Sequence, residues 1–133
     1  MKLSPVKGYK STERSDEMSK LTVVFDFDGV IHSYTSRWKG ASVIPDPPVP
    51  GIKEAIDEIR HHYRVAVISA RCSQEGGIEA IKDYLKKYDI KVDDIAVEKP
   101  PAIVYIDDRA LTFDGHPEGL LNKIKTFKPW NRG

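Results

Sequence analysis

From Leu21 onward the chain alternates between short unbroken apolar runs and longer stretches in which apolar residues recur at helical spacing. Leu21-Thr22-Val23-Val24-Phe25 is β-branched and aromatic without polar alternation, the pattern of a strand buried on both faces, and it stops at Asp26-Phe27-Asp28-Gly29. Ile52, Ala55, Ile56 and Ile59 fall on one helical face, with Lys53, Glu54, Asp57, Glu58 and Arg60 opposite, which predicts an amphipathic helix opened by Pro50-Gly51. Arg64 to Ala70 reads as a second buried strand, and Ile78, Ile81, Leu85 and Tyr88 mark a second helix ending near Asp89. Ile95 to Val97 and Ala102 to Ile106 read as further short strands, the latter closing on Asp107-Asp108, and Pro117 to Lys125 as a last helix. Phe127 and Trp130 are expected to dock on the core.

Strand and helix in alternation, with strands that lack a polar face, predict an α/β fold: a three-layer, Rossmann-like parallel sheet with helices on both faces and no cap domain. Two segments fall outside this pattern. Residues 1–20 mix Lys, Ser, Glu, Asp and Thr with little periodicity and read as a flexible polar lead to a domain spanning 21–133. Val30 to Pro50 carries Ser, Gly and four prolines, too long for a simple connection and too irregular for a helix, and so reads as a hairpin-like flap over one end of the sheet.

Composition narrows the function classes. In 133 residues a 40% hydrophobic fraction supplies one core rather than two. Charge nearly cancels, 21 basic against 20 acidic residues, so net charge indicates neither a disordered polyelectrolyte nor a protein steered onto nucleic acid, and any charge that matters is local. The apolar runs are strand-sized and the first twenty residues hold no signal-peptide core, which leads to the expectation of a cytoplasmic protein without membrane contact. The one cysteine, Cys72, excludes an internal disulfide and a cysteine-rich metal site, and as a lone thiol without a base partner it reads as inert. His32, His61, His62 and His116 lack ligand spacing and are left unassigned.

Ligands of open parallel sheets bind beyond the carboxyl ends of the strands, and here those ends are acidic. Asp26 and Asp28, two apart on an extended chain, project to one side, and Asp107 and Asp108 end a strand that can lie alongside. Carboxylates about 4 Å apart repel by roughly 4 kcal/mol at an effective dielectric near 20, so such a cluster requires protonation or a cation. Oxygen-only donors favour Mg²⁺, which binds a phosphate oxygen in the same shell. The alternative is that these residues only cap helices and turn the chain, as Asp28-Gly29 would suit. Ser69 and Arg71, after the second strand, are candidates to hold a phosphate before a helix start, and Lys99 and Arg109 add candidate positive charge.

Asp26-Phe27-Asp28-Gly29-Val30, Val67-Ile68-Ser69, Lys99 and Ile106-Asp107-Asp108 resemble, in order, the four motifs of the haloacid dehalogenase-like phosphohydrolase superfamily, and Pro50-Gly51 before the second motif is also typical of it. The resemblance covers about residues 21–114. It implies a nucleophilic Asp26, an acid/base Asp28, Mg²⁺ held by both and by Asp107, and phosphate contacts from Ser69 and Lys99. With the second Asp present it implies phosphomonoester hydrolysis through an aspartyl-phosphate rather than dehalogenation. In the family, members without a cap often act on large substrates or cover the site by oligomerising, so phosphorylated nucleic-acid ends, phosphoproteins, nucleotides and sugar phosphates all stay open as substrates.

One departure stands out, because family members place a helix between the lysine and the last strand whereas here only Pro100-Pro101 intervenes. Either the third strand is rudimentary, or Lys99 sits elsewhere and Arg71 or Arg109 takes its role. A phospho-acceptor signalling module would use similar residues, but in that family the acidic pair comes first and the acceptor Asp after the third strand. A non-catalytic scaffold of the same fold is a further alternative, although no motif Asp is missing. In the flap, Tyr34, Arg37, Trp38 and Lys39 combine stacking surface with positive charge, a mixture suited to a phosphorylated partner, the alternative being a solvated hairpin whose Trp38 packs on the core.

Overall fold

The computed structural model describes residues 21–132; the polar lead predicted for residues 1–20 lies outside them. In chain order the elements are β1 (Thr22–Asp26), α1 (Ile52–Arg60), β2 (Arg64–Ile68), α2 (Gly77–Lys87), β3 (Asp94–Ala96), β4 (Val104–Ile106) and α3 (Leu120–Thr126), with 3₁₀ turns at Ala70–Ser73 and Trp130–Arg132. The strands form one parallel sheet in the order β3-β2-β1-β4. This is the Rossmann-like α/β class that the alternating pattern predicts.

The two central strands, β1 and β2, carry Val23, Val24, Phe25 and Val65, Ala66, Val67, all buried, which is why neither shows a polar face in sequence. Successive steps from β1 to β2 to β3 run in one direction, so right-handed crossovers put α1 and α2 on the same face. Ile56 of α1 and Ile81 of α2, both fully buried, accordingly join one cluster with Val23, Phe25, Val65 and Val67. Burying such a side chain contributes on the order of 2 kcal/mol, enough to hold helices whose other faces are charged. Helix α3 is different, since it buries no residue, and Leu121 and Ile124 stay exposed. None of these helices is long and apolar enough to cross a membrane, among the described residues.

The link from β3 to β4, residues 97–103, crosses the whole width of the sheet without a helix. It can do so because both strands are only three residues long. Three inter-strand spacings and one such strand define a diagonal of about 17 Å, within the roughly 24 Å that seven extended residues reach. A regular third strand would have needed a longer return, so the rudimentary strand resolves the departure noted in the sequence.

The flap is a hairpin stapled to the sheet. Ser33 N–H donates to Pro47 O at 3.0 Å and Val49 N–H to Ile31 O at 2.9 Å, closing its stem, while Phe27 and Ile31 sink fully into the core.

Candidate active site

Parallel register sets Phe25 beside Ile106, so Asp26 and Asp107 follow at adjacent strand ends. Carboxylate oxygens of Asp26, Asp107 and Asp108 all lie within 4.8 Å of one another. Gly29 makes room for this, because a Cβ there would collide with the Asp108 carboxylate, and its φ of +88° is itself a left-handed conformation. Burial first, then the charges of Asp107 and Asp108, push Asp26 from its ordinary 3.8 up to about 8. Asp108 is raised too, chiefly by burial. Three hard oxygen donors this close together, with Asp26 and Asp108 both raised, fit a divalent cation such as Mg²⁺.

Asp28 was expected to complete this set, but it lies outside the converging oxygens. Burial would raise its carboxyl, yet hydrogen bonds from His32 and then Arg71 outweigh that and hold it below the usual carboxylate range. His32 Nδ1 lies 2.8 Å from Asp28 Oδ1, and Arg71 donates from Nε to Oδ2 at 2.9 Å and from Nη2 to Oδ1 at 3.1 Å. The backbone N–H of Asp46 donates to His32 Nε2 at 3.1 Å, which leaves the ring proton on Nδ1, directed at Asp28. Nothing but the four-residue offset from Asp28 marked His32 in the sequence.

Arg71, expected to contact phosphate, is fully buried and otherwise engaged. Besides the fork on Asp28, its Nη1 donates to the flap carbonyls of Gly40, Ala41 and Val43 at 2.8, 2.9 and 3.1 Å. The ammonium of Lys99 does not reach the carboxylates either; it sits 4.8 Å from the centre of the Tyr105 ring, on an exposed residue. Ser69 Oγ accepts the Arg71 N–H at 3.1 Å, capping the 3₁₀ turn, and the residue lines the site cavity. That cavity, about 340 Å³, is bounded by Asp26, Asp28, Asp107 and Asp108 with Ser69, Arg109, Tyr34 and Trp38.

Asp46 is the hub of the flap. Its carboxylate accepts Ser36 N–H and Oγ–H at 2.7 and 2.6 Å, and its carbonyl accepts the Tyr84 hydroxyl at 2.9 Å. From the other end of the chain, Trp130 donates its indole N–H to Gly29 O at 2.7 Å while 58% of the residue remains exposed. Trp130 therefore latches the acidic loop instead of docking on the core as expected. Cys72 is buried, and burial pushes its thiol up, consistent with an inert residue.

No protein-family model and no curated protein matches the chain. Among solved structures, a chain of the Pnkp1/Rnl/Hen1 RNA repair complex is similar over 92% of this chain, with a TM-score of 0.50 and 18% identity. A chain from another structure of the Pnkp1/Rnl/Hen1 complex is similar over 96%, with a TM-score of 0.49 and 18% identity. The present chain spans 35% and 42% of their lengths. At this identity the likeness extends to the fold: the chain shares its architecture with part of a larger protein.

Proposed function

We propose that this chain is a Mg²⁺-dependent phosphomonoester hydrolase of the haloacid dehalogenase-like type, with Asp26 as the nucleophile. The observation that carries the reading is the convergence of Asp26, Asp107 and Asp108 at adjacent parallel strand ends, in a cavity shared with Asp28. One Mg²⁺ ion, held by Asp26, Asp107 and Asp108, would offset the repulsion that raises Asp26, keep it ionised and balance charge on the phosphate oxygens. An Asp26 oxygen then attacks phosphorus in line; the new P–O bond forms as the ester P–O bond breaks, and the departing alkoxide takes a proton from solvent water. Water attacks the aspartyl-phosphate, releasing inorganic phosphate and regenerating Asp26.

Asp28 lines the same cavity and would serve as the general base. Its contacts with His32 and Arg71 favour the ionised form, which suits it first of all to take a proton from the attacking water. Arg109, on the cavity wall, takes the electrostatic part assigned by resemblance to Lys99. The balanced composition and single thiol suit a cytoplasmic enzyme whose partner is its phosphorylated substrate.

Release of phosphate from an aryl phosphate, measured across a Mg²⁺ titration, tests the reading. Asp26→Asn is expected to lower turnover at least about a thousandfold with the fold intact, and Asp107→Ala to raise the Mg²⁺ requirement tenfold or more. A folded Asp26→Asn protein that keeps its rate overturns the nucleophile assignment. Stoichiometric phosphorylation of Asp26 without turnover would instead mark a phospho-acceptor module.

A further inference from the structure

The cavity is acidic at its base and aromatic along the flap. Tyr34 and Trp38 line it, and both belong to a segment whose geometry is unusual. Tyr34 and Arg37 adopt positive φ, 62° and 66°, a conformation that non-glycine residues rarely hold and that is found preferentially at ligand sites. The strain is held in place by the Asp46 hub and by Arg71, which fastens the flap through three carbonyls. Trp38 is preset in turn: the Arg71 guanidinium lies 4.7 Å from its ring centre, yet 43% of the residue remains exposed. A large ring fixed beside a catalytic cavity and left uncovered is a stacking surface whose ordering cost is met before any ligand binds.

The cations decide what kind of ligand it serves. Among the described residues, Arg109 is the one cation lining the cavity. Arg37 is folded back, its Nη1 at 3.5 and 3.4 Å from the carbonyls of Tyr34 and Thr35, and Arg71 is committed to Asp28 and the flap. A nucleic-acid strand is held by a track of cations along successive phosphates, whereas among the described residues the cavity lining supplies Arg109 alone, with Lys39 exposed on the flap outside it. A volume of about 340 Å³ is sufficient for a small ester.

We propose that the substrate is a small phosphate monoester bearing a planar aromatic ring, which stacks on the preformed wall made by Tyr34 and Trp38. This rests on the phosphohydrolase reading above and names its substrate class. The ring belongs either to a nucleoside monophosphate or to an ester in which an aryl group carries the phosphate directly.

Two measurements test it independently of one another. In the first, kcat/KM is compared for a nucleoside 5′-monophosphate, phenyl phosphate, glycerol 2-phosphate and a 5′-phosphorylated oligonucleotide. One or both ring-bearing small esters should be preferred, and which of them leads identifies the source of the ring. Trp38→Leu should lower the ratio of ring-bearing to glycerol ester about tenfold, the size ordinary for one lost stacking contact, and Trp38→Phe should restore most of it. Tyr34→Leu gives the same comparison should Trp38→Leu fail to fold. In the second, the Asp26→Asn protein is titrated calorimetrically with the same esters in Mg²⁺, so that the ring preference is read as affinity even if no ester is hydrolysed. Selective binding without turnover would sustain the ring site and reject the hydrolase. Equal affinities for ring-bearing and glycerol esters, equal losses on both in the variants, or preference for the oligonucleotide would overturn the proposal.

Discussion

Replacing Asp26 by Asn should remove the pH dependence that this carboxyl imposes on the metal-free protein. In the native state Asp26 is raised from 3.8 to about 8, whereas in the unfolded chain it titrates normally. The raised carboxyl supports the fold fully below pH 4, where both states are protonated, and this support is lost as pH rises towards 8. Between those limits the native state binds one proton more, so stability falls by about 1.4 kcal/mol per pH unit. From pH 5 to pH 7 the loss is about 2.7 kcal/mol, and Asp26→Asn, which carries no titrating proton, escapes it. For a domain of this size each kcal/mol is worth roughly 3–5 °C, so the melting-temperature gap between variant and wild type should widen by about 8–13 °C over that range. The assay is a set of melts in EDTA at pH 5, 6 and 7, in which groups outside the Asp26–Asp108 pair are common to both proteins and cancel. Saturating Mg²⁺ should flatten the wild-type curve by binding the ionised cluster. Parallel curves for the two proteins in EDTA would refute the reasoning, because the cluster would then impose no cost on ionising Asp26.

Two further substitutions probe the scaffold around the cluster. Arg71→Lys removes a planar fork that one ammonium cannot replace, leaving Asp28 and three flap carbonyls short of donors; urea unfolding should show a loss of about 3–5 kcal/mol, and a loss under 1 kcal/mol would count against the buried fork. Gly29→Ala places a Cβ against Asp108 at a backbone angle that alanine disfavours, so its Mg²⁺ affinity, read by calorimetry, should drop tenfold or more; an unchanged affinity would remove Asp108 from the metal set.

The parts of this protein written in local sequence are those in which each residue's surroundings depend on its near neighbours. Val23-Val24-Phe25 and Val65-Ala66-Val67 announce buried parallel strands because no polar residue interrupts them, and Asp26 and Asp107 announce a site because they stand where such strands end. Spacing likewise reveals α1 and α2, whose apolar stripes need only a sheet to lie on. The partners of the polar side chains are another matter, because hydrogen bonds join residues that the chain separates widely. Arg71 looks like a phosphate ligand until the fold brings Asp28 and the flap carbonyls to it across 28 to 43 residues. Trp130 looks like core until its indole meets Gly29, 101 residues away. The expected cluster of four carboxylates narrows for the same reason: once Arg71 and His32 hold Asp28, the converging oxygens are those of Asp26 and of Asp107 and Asp108 at the neighbouring strand end. Hydrophobic periodicity is a local signal of burial, whereas the partner of a buried charge is chosen by whichever distant donor the packed fold brings within 3 Å, and that choice is made only by the tertiary structure.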